Sequence, residues 1–271
     1  MPELPEVETV VRGLERQLPG RVVKTVAQTH LKLRVPLPDL QVLVGATVLA
    51  VRRRAKFVLV DFSNKQTLLI HLGMSGRIVF TPPHTPPAKH DHVRLTFTKG
   101  DELRFNDPRR FGLMDICPTG AENKTPHLKT MGPEPFHPTF NSKYLHTKIK
   151  SKKTAIKPTI MESKLVVGVG NIYASEALFR AGINPTRAAN KLSLAQCEKL
   201  VTCIQQTLQD AIQAGGTSLR DYVQTDGTLG YFQHQFNVYN REGQPCRVCG
   251  TPIKRIVQAA RSTYFCPTCQ K

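Results

Sequence analysis

Pro2 and Glu3 put a secondary amine beside a carboxylate once Met1 is removed, a pairing suited to covalent catalysis. An α-amino group titrates near about 8, against roughly 10.4 for a lysine, so near neutral pH far more of it is unprotonated and nucleophilic. A proline nitrogen condensed with a sugar aldehyde carbon becomes an iminium, a fixed cation that draws electrons from the neighbouring carbon and opens elimination chemistry. On those two residues alone, a proline that merely follows the initiator is the plainer reading. A second chemical signal lies at the other end of the chain. Cys246 and Cys249, then sixteen residues, then Cys266 and Cys269 have the spacing of a tetrahedral zinc site. Two disulfides are the alternative, yet Cys117, Cys197 and Cys203 stand isolated, as buried thiols in a reducing compartment do. Four thiolates close a coordination shell, so one Zn2+ held there is structural, not catalytic. Between the two cysteine pairs, residues 251–265 read as strand, turn, strand with Ala259, Ala260, Arg261 and Ser262 at the tip. Arg261 is there either as ordinary surface charge or as a presented phosphate contact.

The elements that must position these groups divide the chain. Val7, Val10, Val11, Leu14 and Leu18 make one helical stripe over residues 5–18, stopped by Pro19 and Gly20. From Arg21 to about Ile116 the pattern changes to short β-branched and aromatic runs, including 21–29, 57–62, 67–72, 92–98 and 103–106, which fits an antiparallel sandwich or barrel. Pro82, Pro83, Pro86 and Pro87 break that run into a loop ending at Lys89-His90-Asp91-His92. Gly132-Pro133-Glu134-Pro135 with Pro138 reads as a joint between domains. Beyond it Leu194, Cys197, Leu200, Val201, Ile204, Leu208, Ala211 and Ile212 recur at helical spacing, ended by Gly215-Gly216. Asn171, after Gly168-Val169-Gly170, is placed to cap a helix whose free amides could hold a phosphate. As a dinucleotide fingerprint that Gly-x-Gly fails, because the third glycine and the surrounding βαβ unit are missing.

Composition narrows the partner. With 38 Lys+Arg against 20 Asp+Glu, a net charge of +18, the chain is built for a polyanion, and nucleic acid leads over acidic membrane. The 40% apolar content is enough for real cores. No apolar run approaches the roughly 18 residues of a membrane span, and the first residues are acidic where a signal peptide would be basic. A cytoplasmic location without membrane contact is the expectation.

Taken in order along the chain, the blocks Pro2-Glu3-Leu4-Pro5-Glu6, Arg54-Ala55-Lys56, His71 to Gly76, Lys89 to His92, Asp107 to Gly112, Gly168 to Tyr173 and the four cysteines resemble the formamidopyrimidine-DNA glycosylase family. The resemblance runs end to end. It implies an α+β multidomain fold. Residues 1–131 would form an N-terminal β-sandwich with an N-terminal helix, and 132–236 a helix-two-turn-helix domain with a lesion-recognition loop at about 217–230. Residues 237–271 would form a four-cysteine zinc-finger β-hairpin. It further implies excision of oxidised purines, chiefly 8-oxoguanine and formamidopyrimidines, from damaged double-stranded DNA in base excision repair. Strand cleavage by β,δ-elimination would follow, carried out by a monomer. A sister type, endonuclease VIII, shares the terminal chemistry but prefers oxidised pyrimidines, and a zinc-containing DNA-binding protein without catalysis is the alternative from another class.

Site residues follow from the same resemblance. Pro2 attacks C1′ to give a Schiff base while Glu3 manages protons at the opened sugar, and Glu6 either supports this or simply complements the helix dipole. Lys56 serves β-elimination or clamps a phosphate. Arg261 corresponds to the δ-elimination acid, although a guanidinium stays protonated and grips phosphate better than it gives up a proton. His90, Arg109 and Lys152 match DNA-contact positions, with Asn171 and Lys157 as phosphate neighbours. A flipped-out base leaves a gap, and Met74, Arg109 and Phe111 match the residues that fill it, although Met74 and Phe111 alone would read as core.

Overall fold

A computed structural model describes residues 2–29, 33–217 and 232–271 of the chain. It falls into two compact units, Met1–Thr130 with Gly215–Gly230, and Met131–Ala214 with Tyr231–Lys271.

The first unit begins with α1, Leu4–Glu15, which buries Leu4, Val7, Val10, Val11 and Leu14 along one face. Eight strands follow: β1 (Val23–Gln28), β2 (Val48–Arg54), β3 (Phe57–Phe62), β4 (Gln66–His71), β5 (Arg77–Thr81), β6 (Asp91–Phe97), β7 (Glu102–Asn106) and β8 (Leu113–Pro118). They form two four-stranded antiparallel sheets, in the orders β1-β6-β7-β5 and β2-β3-β4-β8. A single apolar core takes side chains from both sheets and from α1, which makes the unit a β-sandwich with a helix laid on it. Both faces of β3 are covered: Val58, Val60 and Phe62 lie in the core shared with α1, while Phe57 on the other face meets His71 and His127, so Phe57, Val58, Leu59 and Val60 are buried in succession. That is why this strand reads as a continuous apolar run.

Two details depart from the sequence pattern. The helix expected over residues 5–18 ends at Glu15, and Leu18 reaches the core through a turn in which its amide donates to the Leu14 carbonyl (2.8 Å). Pro19 disfavours helical backbone at the residue before it, so the stripe continues while the helix does not. Strands β2, β5 and β8 were not among those named from sequence. Arg52, Arg53 and Arg54 break the alternation in β2, and Asp115 interrupts β8.

The second unit holds α2 (Ser142–Ile149), α3 (Ile156–Ile160), α4 (Asn171–Ala181) and α5 (Leu194–Gln213), then a hairpin of β9 (Lys254–Gln258) and β10 (Arg261–Phe265). Capping is encoded locally. Asn141 Oδ1 accepts the Tyr144 amide at 3.0 Å to start α2, and Ser193 with Gln196 forms a reciprocal capping box at the head of α5. From Cys197 to Ile212 the predicted stripe is the buried face of α5, packed against α4, but Leu194, at the first helical position, is 45% exposed. A smaller apolar cluster of Phe179, Val238, Cys246, Ile253 and Cys266 joins the end of α4 to the hairpin.

Glu176 of α4, only 1% exposed, fastens that junction. Its carboxylate accepts the amides of Asn237 (2.9 Å), Val238 (3.0 Å) and Tyr239 (2.8 Å) and the Asn237 side-chain amide (3.1 Å). A charged acceptor surrounded by donors is stable in a dry interior, whereas an amide in its place turns an N–H toward them. Glu176→Gln should therefore lower unfolding stability by about 2–4 kcal/mol in urea titration, and an unchanged midpoint would contradict this account.

Candidate functional site

Glu3 sits at the N-cap of α1 with extended backbone, and it and Glu6 make a reciprocal capping box in which the Glu3 amide donates to Glu6 Oε2 at 2.8 Å. Pro2, Glu3 and Glu6 are all buried, with Glu3 3% and Glu6 2% exposed. The other Glu6 oxygen accepts the amide of Thr217 at 2.9 Å. One carboxylate thus holds the residue beside Pro2 and also the first residue of the expected lesion loop. Residues 218–230 of that loop lie outside the described residues.

Lys56 is half-buried in the two-residue connection between β2 and β3, next to Ala55, whose φ is +55°. Arg53 braces this turn, donating to the Ala55 carbonyl (3.0 Å) and to Glu8 of α1 (2.8 Å). The turn carrying Lys56 is therefore tied to the helix that carries Glu3. His71, at the end of β4, lies against the Phe57 ring with centroids 4.9 Å apart and accepts the Gly73 amide on Nδ1 at 3.1 Å. Burial, with the charges of Lys56, Arg34 and His127 added, pushes its pKa down to about 4. A neutral imidazole beside Lys56 adds no competing positive charge.

Met74, remote in sequence from the neighbouring Arg109 and Phe111, lies on a loop that adjoins theirs. Met74 is 38% and Phe111 42% exposed, so both present apolar surface to solvent instead of joining the core. The Arg109 guanidinium stands 5.2 Å from the Phe111 ring centroid. Gly73 lies at φ +63°, and a Cβ there would fall 2.5 Å from the Phe111 carbonyl carbon, so only glycine lets the two loops meet backbone to backbone. His90 is half-buried at the end of the proline-rich loop. Buried Arg104 holds that loop through the Pro86 carbonyl (2.8 Å), the Thr85 carbonyl and Asp91 (3.3 Å).

In the second unit Lys157, Asn171 and the hairpin form one knot. The Lys157 ammonium donates to Asn171 Oδ1 (2.6 Å), the Ser262 carbonyl (3.0 Å) and Thr263 Oγ1 (2.8 Å), and Asn171 Nδ2 donates to the same Ser262 carbonyl (3.0 Å). Two expectations change here. The cap of α4 is Gly170, not Asn171, which is the first helical residue and turns its side chain to the lysine and the hairpin. Lys157, expected as a phosphate neighbour, is 1% exposed with its ammonium engaged by protein acceptors, so it stiffens the base of the hairpin. Arg261 remains exposed, one residue beyond a turn in which Ala259 and Ala260 have φ of +46° and +58°. Lys152 is half-buried and pairs with Glu162.

The four expected cysteines converge, with their Sγ atoms within 4.8 Å of one another, Cys246 to Cys269 at 3.9 Å and Cys249 to Cys266 at 3.4 Å. A tetrahedral Zn–S bond of about 2.3 Å implies sulfur separations near 3.8 Å, so the set fits zinc. The Val248 and Cys269 amides donate to Cys246 Sγ (3.5 Å) and Cys266 Sγ (3.4 Å), the second-layer bonding that steadies metal thiolates. Sequence reasoning assigned no role to His71, Arg104, Asp107 or Glu176, and did not see the reach of Glu6 to Thr217. The motif blocks contain His71 and Asp107, but their partners are set by folding.

Family models match nearly the whole chain: "Formamidopyrimidine-DNA glycosylase N-terminal domain" over residues 1–114, "Formamidopyrimidine-DNA glycosylase H2TH domain" over 131–223 and "Zinc finger found in FPG and IleRS" over 243–271. The chain is 53% identical over 275 residues to formamidopyrimidine-DNA glycosylase of Thiobacillus denitrificans, covering all of both. It superposes on Lactococcus lactis Fpg in complex with abasic-site DNA with TM-score 0.92 and 34% identity, covering 99% of each chain. A Lactococcus lactis Fpg complex with Fapy-dG DNA gives TM-score 0.90 and 34% identity over 99% of this chain and all of that one. With the zinc-finger match and the converging sulfurs, Cys246, Cys249, Cys266 and Cys269 hold one structural zinc.

Two measurements follow from this geometry. The hairpin turn has the φ signs of a type I′ turn, which favours Asn-Gly, so a double change of Ala259→Asn and Ala260→Gly should stabilise the protein by about 1–2 kcal/mol. No gain in a denaturant titration would mean the turn is unstrained. His71 has a folded pKa below its unfolded value of 6.5, so the unfolded chain takes up the extra proton and stability falls as pH drops from 6.5 toward about 4. His71→Gln should lose less stability than the parent across that window; matching pH profiles would exclude the effect.

Proposed function

Because the chain belongs to the formamidopyrimidine-DNA glycosylase family, we propose that it excises oxidised purines, 8-oxoguanine and formamidopyrimidines, from duplex DNA using Pro2 as its nucleophile. The observation that carries this reading is the capping box that fixes Glu3, the residue after Pro2, at the head of α1. After Met1 is removed, the Pro2 nitrogen lone pair forms a bond to C1′ as the glycosidic bond breaks, its electron pair leaving with the base. The nitrogen's own proton passes to the departing base, and its freed lone pair then forms the iminium to C1′ as the C1′–O4′ bond breaks and Glu3 protonates the ring oxygen. Loss of the C2′ proton then expels the 3′ phosphate, a step served by Lys56 on its braced turn, and a second elimination releases the 5′ phosphate. Arg261, always charged, orients and neutralises the departing phosphate. The strand is thus cut by glycosylase and abasic-site lyase steps in succession, as base excision repair requires.

His90, Arg109 and Lys152 contact the DNA, Asn171 lies next to a phosphate, and Lys157 acts by holding Asn171 and the hairpin. Met74 and Phe111 fill the space left by the extruded base while Arg109 bonds to the orphaned partner. Residues 1–131, 132–236 and 237–271 serve as catalytic, helix-two-turn-helix and zinc-finger domains, with lesion recognition in 217–230. The enzyme works as a monomer in the cytoplasm, associated with the nucleoid through DNA. No helix among the described residues is long and apolar enough to cross a membrane.

Borohydride added during reaction with an 8-oxoguanine:cytosine duplex should reduce the iminium and leave DNA on the peptide that starts at Pro2, as read by mass spectrometry. An adduct on Lys56, or none at all, would overturn the assignment. Preferential release of thymine glycol from a mixed-lesion duplex would point to the endonuclease VIII type.

A further inference from the structure

We propose that Asp107 is the positioning residue that makes Met74, Arg109 and Phe111 act as one rigid wedge. This rests on the reading of those three side chains as the group that enters the DNA stack. Asp107 has no exposed surface, and its polar atoms bind the loops on every side. Oδ1 accepts the Ser75 hydroxyl at 2.6 Å and the Arg109 amide at 3.3 Å, and Oδ2 accepts the Gly112 amide at 2.7 Å. Its backbone carbonyl accepts His92 Nε2 (2.9 Å) and the Arg110 amide (3.2 Å), and its amide donates to the His90 carbonyl (3.1 Å). One residue therefore joins the Met74-Ser75 turn, the 109–112 loop and the strand end that presents His90.

Space as well as bonding makes the joint stiff. A Cβ on Gly112 would lie 2.4 Å from the Phe105 ring and 3.0 Å from Asp107 Oδ2, so the loop is seated directly on the carboxylate. Arg110 is held at φ +58° between the exposed Arg109 and Phe111, and its carbonyl accepts the Arg34 amide at 3.0 Å. A wedge that parts stacked bases works against a few kcal/mol of stacking per step. Side chains on independent loops would yield to that load. Here the loops cannot separate without leaving a buried carboxylate short of donors, which is strongly unfavourable. The same bonding fixes where the Arg109 backbone starts, and so how its guanidinium meets the base opposite the lesion.

The test compares wild type, Asp107→Asn, Ser75→Ala and Phe111→Ala on duplexes with 8-oxoguanine opposite cytosine or adenine, with 2-aminopurine beside the lesion to report unstacking, and on a single-stranded abasic oligonucleotide that needs no wedge. Asp107→Asn should slow duplex excision by about 10- to 100-fold and change the ratio of rates opposite cytosine and adenine, while single-strand cleavage stays within about twofold. The 2-aminopurine signal should be delayed. Ser75→Ala, which removes one donor at little cost in volume, should shift each quantity the same way by less and carries the test if Asp107→Asn does not fold. If Phe111→Ala abolishes the 2-aminopurine signal while Asp107→Asn and Ser75→Ala keep wild-type kinetics and base preference, the Asp107 proposal is wrong and the wedge reading stands. If Phe111→Ala leaves the signal intact, the wedge reading itself falls.

Discussion

A buried carboxylate that gathers main-chain amides recurs at three places where this chain holds a loop still. Glu6 takes the amides of Glu3 and Thr217, Asp107 those of Arg109 and Gly112, and Glu176 those of Asn237, Val238 and Tyr239. Each is no more than 2% exposed. A carboxylate in that setting is stabilised by charge-assisted bonds, and the loop amides, which have no ladder to join, obtain the partner that a dry interior would otherwise deny them. The nucleophile end, the apolar wedge and the zinc hairpin all rest on this one kind of contact.

The same interaction shapes the electrostatics. In a chain of net charge +18, acids drawn inward to serve loops leave the outer surface more basic than composition alone suggests. Arginines and lysines divide in the same way. Lys157 and Arg104 are buried and structural, Lys152 shares its charge with Glu162, and Arg109 and Arg261 stay exposed. Exposure separates the cations that can meet phosphate from those that hold the scaffold.

Backbone strain falls partly where function is expected, although Lys65, His84 and Asn240 also lie at positive φ. Among the described residues, non-glycine positions at positive φ include Ala55, Arg110, Ala259 and Ala260. These adjoin Lys56, the Arg109–Phe111 pair and Arg261. Such conformations cost free energy and persist only where surroundings enforce them, and here the enforcers are visible: Arg53 at Ala55, Asp107 at Arg110, and the Lys157–Asn171 knot below the hairpin. A turn held in one shape presents its neighbouring side chain in one direction.

What depends on residue type and short spacing was legible in the chain alone: the paired cysteines, most of the stripes of α1 and α5, and the β run of residues 57–62. Periodicity and ligand spacing act within a few residues, so they survive in the linear code. What folding alone decided were the long-range partners. Glu6 meets Thr217 across 211 positions and Lys157 meets Thr263 across 106, which no local pattern can register. Asn171 looked like a cap because asparagine often is one, yet a buried ammonium offers its oxygen a stronger partner than the helix amides do. Met74 and Phe111 looked like core because apolar side chains usually are, and only the meeting of two loops through Gly73 and Asp107 puts them at the surface. Sequence determined which groups were available; the tertiary fold, by making burial favourable only for groups with partners, decided which were spent on structure and which were left free to act.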